Sequence, residues 1–137
     1  MVRPIITDTL FLRQKSTPAT AADRCVAQDL LDTLQANADR CVGMAANMIG
    51  VNRRIIVVAL GPISVVMLNP VIVKRAGTAY ETREGCLSLS GTRPAKRYPR
   101  VTVSYEDMQG KKQRQEFSGF TAQIIQHEMD HLEGILI

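Results

Sequence analysis

Val26, Leu30, Leu31 and Leu34 recur at three- and four-residue intervals, which places their side chains on one face of a helix. Thr20 stands where it can cap that helix, with Asp23 three residues on, and the helix should end near Asn37. Arg54 to Leu60 is a continuous apolar run after its first residue and reads as a buried strand. Val65 to Val73 reads as one or two further strands around Asn69-Pro70. Val101, Val103 and Tyr105 alternate with Thr102, Ser104 and Glu106, so residues 100–106 form a half-buried strand. Gln109-Gly110 turns the chain into a polar partner strand that ends near Phe117. The helical period returns over Phe120 to Leu132, where Ile124, His127 and His131 share a stripe. Residues 1 to about 19 carry two prolines and little periodicity, and read as an irregular arm. The pattern predicts one α+β domain spanning residues 1–137: a helix, a strand-rich middle and a terminal helix.

Composition narrows the classes. Seventeen basic against thirteen acidic residues give a net charge of +4, with the basic residues scattered. A nucleic-acid surface would call for a basic stripe with aromatics among it, and the chain has no Trp, three Tyr and three Phe. No specific nucleic-acid partner is expected. Cys25, Cys41 and Cys86 are odd in number, widely spaced and without a CxxC pair, which argues for a reducing compartment. The N-terminal stretch has no long apolar region, and no segment reaches the length of a membrane span. A cytoplasmic location away from the membrane is the expectation.

The chemistry concentrates in His127-Glu128-Met129-Asp130-His131, which holds both histidines of the chain. On a helix, residues four apart project from one face, so His127 and His131 can close on one metal ion. Glu128 then lies beside that ion, where a carboxylate can take a proton from an activated water. A catalytic zinc-type site takes three protein ligands and leaves one position open. Acidic residues could supply the third, but Cys86 in Glu84-Gly85-Cys86-Leu87-Ser88 is the sharper choice, because a thiolate is a soft, strongly bound ligand. The bland alternatives are a small buried hydrophobe for Cys86 and surface polarity for the histidines.

Three segments in order carry a family resemblance. Gly43-Met44-Ala45-Ala46-Asn47-Met48-Ile49-Gly50, Glu84-Gly85-Cys86-Leu87-Ser88 and residues 126–134, from Gln126 to Gly134, resemble the three signature motifs of peptide deformylases. The resemblance runs from the N-terminal arm to Gly134. It implies antiparallel sheets packed around a C-terminal metal-binding helix. It implies hydrolytic removal of the formyl group from the initiator Met of nascent polypeptides, met at the ribosome. It also implies one divalent metal, Fe²⁺ first, with Zn²⁺ or Ni²⁺ as substitutes. Cys86, His127 and His131 match the ligand positions, and Glu128 matches the catalytic acid/base. Leu87 matches the residue whose backbone N–H faces the formyl oxygen. Gly43 matches the backbone that pairs with the extended peptide, and Ile124 a wall of the Met pocket. Arg97 resembles a basic residue near the pocket entrance.

The chain also departs from that pattern. The first motif of the family reads Gly-x-Gly-φ-Ala-Ala-x-Gln-φ-Gly, and here Cys41 replaces the first Gly while Met48 stands at the Gln. That Gln donates to the formyl oxygen as it becomes an oxyanion, and a thioether cannot donate. Losing one such donor costs on the order of 10²–10³ in rate. Ser90 stands where Pro is common, and the sequence stops three residues beyond Gly134, short of an extension that varies among subtypes. These departures predict a divergent copy: an active, slowed deformylase or, alternatively, a paralogue that binds metal and peptide N-termini with little turnover. A general HExxH peptidase is disfavoured, since the cysteine and the first motif have no role there.

Overall fold

A computed structural model describes residues 1–137. A five-stranded antiparallel sheet runs in the order β1 (Gly43–Ala45), β2 (Ile55–Leu60), β3 (Ile63–Ala76), β6 (Arg100–Glu106), β7 (Lys112–Ser118). A separate two-stranded sheet pairs β4 (Tyr80–Cys86) with β5 (Leu89–Arg97). Helix α2 (Arg24–Ala36) covers one face of the large sheet and α3 (Gly119–Leu132) the other.

β2 shows why the apolar run is continuous rather than alternating. Ile55 and Val57 join Leu30 and Leu34 of α2 in one core, while Ile56 and Val58 join Ile125 and Leu132 of α3 in a second. A strand covered on both faces needs apolar residues at every position. Each such side chain taken fully from water is worth about 1.5–3 kcal/mol. The alternation in β6 is real and places Val101, Val103 and Tyr105 in the second core.

Three expectations are revised and one alternative is decided. The N-terminal arm is not wholly irregular: a short helix α1 (Thr9–Leu12) follows Asp8, whose carboxylate accepts from the Leu10 N–H at 3.0 Å. Leu12 is fully buried, and the arm is fastened by Ile6 N–H to the Met48 carbonyl and Ser16 N–H to the Leu132 carbonyl, each 2.8 Å. The second helix begins with a 3-10 turn (Ala21–Asp23) in which Asp23 accepts from the Thr20 N–H at 2.8 Å. Of the one or two strands expected around Asn69-Pro70, the structure has one. β3 is continuous over 14 residues and bulges there, with Asn69 at φ 51° and the register shifting between Leu68 and Val71. A bulge accommodates a proline that cannot donate to the ladder. Finally, β4 and β5 formed no element in the sequence pattern, because their positions are mostly polar and only three of them are buried.

Candidate metal centre

α3 brings His127 and His131 one turn apart on its buried side, 8% and 0% exposed, with their Nε2 atoms 3.2 Å from each other. The helix is fixed against the sheet partly by Gln126, whose amide bonds both backbone groups of Tyr98, each at 2.8 Å. Cys86 arrives from the end of β4, where pairing with β5 loses register after Gly85. The Ser88 N–H points at its sulfur from 3.4 Å. The ligand atoms of Cys86, His127 and His131 all lie within 4.8 Å of one another.

These residues fit a divalent transition metal. Two imidazole nitrogens bound to one tetrahedral ion at about 2.0–2.1 Å would sit about 3.3 Å apart, close to the separation found here. One sulfur and two imidazoles suit Fe²⁺ or Zn²⁺ better than Mg²⁺ or Ca²⁺, which take oxygen ligands. His127 also donates from Nδ1 to Glu84 at 2.8 Å, the carboxylate backing that ligating histidines use to fix their orientation.

Glu84 is the hub around which this half of the site is arranged. Its carboxylate accepts from Arg97 Nη2 at 2.6 Å and Nε at 3.0 Å, and from Gln123 Nε2 at 2.9 Å. Arg97 Nη1 reaches on to Asp130 at 2.7 Å. Burial opposes the charge on Glu84, but the bonds from His127, Arg97 and Gln123 outweigh it and hold its pKa near 2. Burial likewise opposes a charged His127, yet the adjoining Cys86 and Glu84 lift it to about 10. His131 is pushed down to about 3 by burial and by the neighbouring His127 charge.

Glu128 is buried beside the cavity, and that burial raises its pKa to about 7. Its Oε1 has no hydrogen-bond partner. Gly43, at the start of β1, lies so close to α3 that an added Cβ would sit 2.6 Å from Ile124 and 3.1 Å from Glu128 Oε2. No larger residue fits there without moving the carboxylate. β1 is an edge strand of the large sheet, so an extended peptide can add along its outer side, where the Gly43 carbonyl already accepts from a cysteine thiol.

A cavity of about 460 Å³ opens onto this centre. Gly43, Met48, Leu87, Ile124 and Glu128 border it, together with Cys86 and His127. Met48 is 1% exposed on the 3-10 turn Ala46–Ile49 and also packs in the first core. Cys41 also faces the cavity; its thiol donates to the Gly43 carbonyl at 2.9 Å, and burial pushes its pKa up to about 11. Arg97 is a correction: it is 4% exposed and absent from the cavity wall, committed instead to Glu84 and Asp130. Glu84 and Gln123 were missed as site residues. Glu84 stood in the second motif beside Cys86, whereas nothing in the pattern around Gln123 marked it.

A family model described as Polypeptide deformylase matches residues 2–137. The peptide deformylase of Clostridium beijerinckii is 57% identical over 137 residues, covering all of both chains. A class I type b peptide deformylase from Acinetobacter baumannii has been solved bound to Met-Ala-Ser. It superposes with a TM-score of 0.89 at 31% identity, over 99% of this chain and 97% of that one. Its actinonin-bound form gives a TM-score of 0.88 at 32% identity, over 99% and 95%.

Proposed function

The chain belongs to the polypeptide deformylase family, and from that premise we propose how its own residues divide the work of the reaction. It is a metal-dependent hydrolase that removes the N-formyl group from the initiator methionine of a polypeptide, using water to release formate and a free amine. Cys86, His127 and His131 hold the divalent metal, with Fe²⁺ the native ion and Zn²⁺ or Ni²⁺ able to replace it. When bound, the metal supplies a Lewis acid that polarises the formyl oxygen and makes a neighbouring water acidic. Glu128 takes the proton from the attacking water and returns it to the departing amine. A carboxyl held near pH 7 by burial is suited to both transfers.

The backbone N–H of Leu87 donates to the formyl oxygen, and the outer edge of β1 at Gly43 pairs with the substrate backbone. Ile124 forms a wall for the methionine side chain. The substrates are formyl-methionyl nascent chains, met in the cytoplasm as they leave the ribosome. No helix is long and apolar enough to cross a membrane.

The observation that carries the reading is the convergence of three donor atoms within 4.8 Å beside an enclosed, unpartnered Glu128 oxygen. That retained set supports turnover over a role limited to binding. The test loads the chain anaerobically with Fe²⁺ and follows formate release from formyl-Met-Ala-Ser. One metal per chain and metal-dependent release are expected, with both lost in Cys86→Ala. Undiminished metal binding in that variant would overturn the ligand assignment.

A further inference from the structure

The two imidazoles are not supported alike. His127 gives its Nδ1–H to the Glu84 carboxylate, whereas Nδ1 of His131 is buried and has no partner. A ligating imidazole that uses Nε2 carries its proton on Nδ1, and that N–H is almost always given to a carboxylate, carbonyl or water. Leaving a buried donor unmatched is costly, because it gives up its water without a replacement.

A second orphan belongs to Asn47. Its Oδ1 is buried without a partner, and the whole residue is 0% exposed. Asn47 is already attached to the histidine in question, since its Nδ2 donates to the His131 carbonyl at 3.0 Å. A carbonyl can only accept, so this bond fixes which end of the amide is which. The oxygen is thereby left as an acceptor beside a residue that has a donor to place.

We infer that Asn47 is a positioning residue for His131: it anchors the backbone through Nδ2 and accepts the Nδ1–H through Oδ1 across one buried water. The inference rests on His131 being a metal ligand. One imidazole is then backed by a carboxylate and the other by a neutral amide. Asn47 shares its 3-10 turn with Met48, so one turn both supplies a wall of the cavity and steadies the more deeply buried ligand.

The test measures Zn²⁺ affinity of the full chain by competition with a chromogenic chelator, independently of turnover. Asn47→Ala and the volume-keeping Asn47→Leu should each weaken Zn²⁺ binding about 10–100-fold at a temperature where they remain folded. A merely structural residue would lower the melting temperature and leave that affinity alone. Nitrogen NMR of the Zn²⁺-loaded wild type needs no variant, and should find the His131 proton on Nδ1 in slow exchange with solvent. Affinities within twofold of wild type, or a His131 proton in fast exchange, would overturn the inference. Failure of the wild type itself to bind Zn²⁺ would instead overturn the ligand reading on which it rests.

Discussion

α3 and the β4–β5 sheet meet at the cavity and hold the metal donors between them, but opposite forces keep them in place. α3 is seated by area: Ala122, Ile124, Ile125 and Leu132 belong to a core shared with β2 and β6. The small sheet buries only Glu84, Ala95 and Arg97 along its two strands, and two of those three are charged. It is tied to α3 by the bonds from Glu84 to His127 and Gln123 and from Arg97 to Asp130. Apolar area tolerates small displacements, whereas a bidentate ion pair is specific in distance and direction. The half that brings Cys86 is therefore the half whose placement depends on charge.

The comparison is broken most severely on the helix side by removing chemistry without removing packing. Glu128→Gln keeps the shape of the enclosed side chain, leaves Cys86, His127 and His131 untouched, and abolishes its proton transfer. Turnover should fall by roughly 10²–10⁴ with metal content unchanged, checked by parallel rate and metal measurements. Loss of metal in that variant would show that Glu128 belongs to the ligand set, and unchanged turnover would remove it from the mechanism.

On the other side, Arg97→Met tests whether charge really holds the small sheet. The substitution leaves Glu84 and the inner oxygen of Asp130 without their guanidinium, and a buried pair broken from one side costs about 3–5 kcal/mol. The urea midpoint should drop accordingly. Because Glu84 also orients His127, metal should be retained less firmly as well. A stability change within about 0.5 kcal/mol, the ordinary scatter of surface substitutions, would mean that β4–β5 is held by something other than this network.

The same division decides what could be read from the chain. Apolar periodicity disclosed α2, β2, β6 and α3, and with α3 came the geometry of His127, Glu128 and His131, since a four-residue interval has one meaning on a helix. β4 and β5 left no periodic trace because ion pairs and backbone pairing, rather than an apolar face, hold them. Cys86 was found through its ligand chemistry and its motif, not through periodicity. Arg97 was misplaced for a related reason. Four basic residues lie within residues 93–100, and sequence alone does not tell which one turns inward to a carboxylate 13 positions earlier. Whether Asn69-Pro70 divides the strand was open in the sequence, because a left-handed residue before proline resembles a turn until its amide is seen bonding Ala19 on both backbone groups.

The mildest effect is expected at Met48, which lies where the two regions face each other across the cavity. The side chain is 1% exposed and shares the first core with Leu30, Leu34 and Ile55, so it serves as packing as well as wall. A thioether there cannot stabilise developing negative charge. On the proposed mechanism, the remaining protein donor to the formyl oxygen is the Leu87 N–H, supplied by the small sheet's turn. Met48→Gln would add a second donor from the large-sheet side. It should raise kcat on a formyl-Met peptide by at least about tenfold, part of what one oxyanion donor usually contributes. KM should change less, because the gain belongs to the transition state rather than to the bound substrate. The comparison is made with the same metal at the same occupancy in both proteins. An unchanged kcat, with the new amide directed into the cavity in a crystal structure, would mean that another group already makes this hydrogen bond. The oxyanion would then not depend on the charge-held half alone.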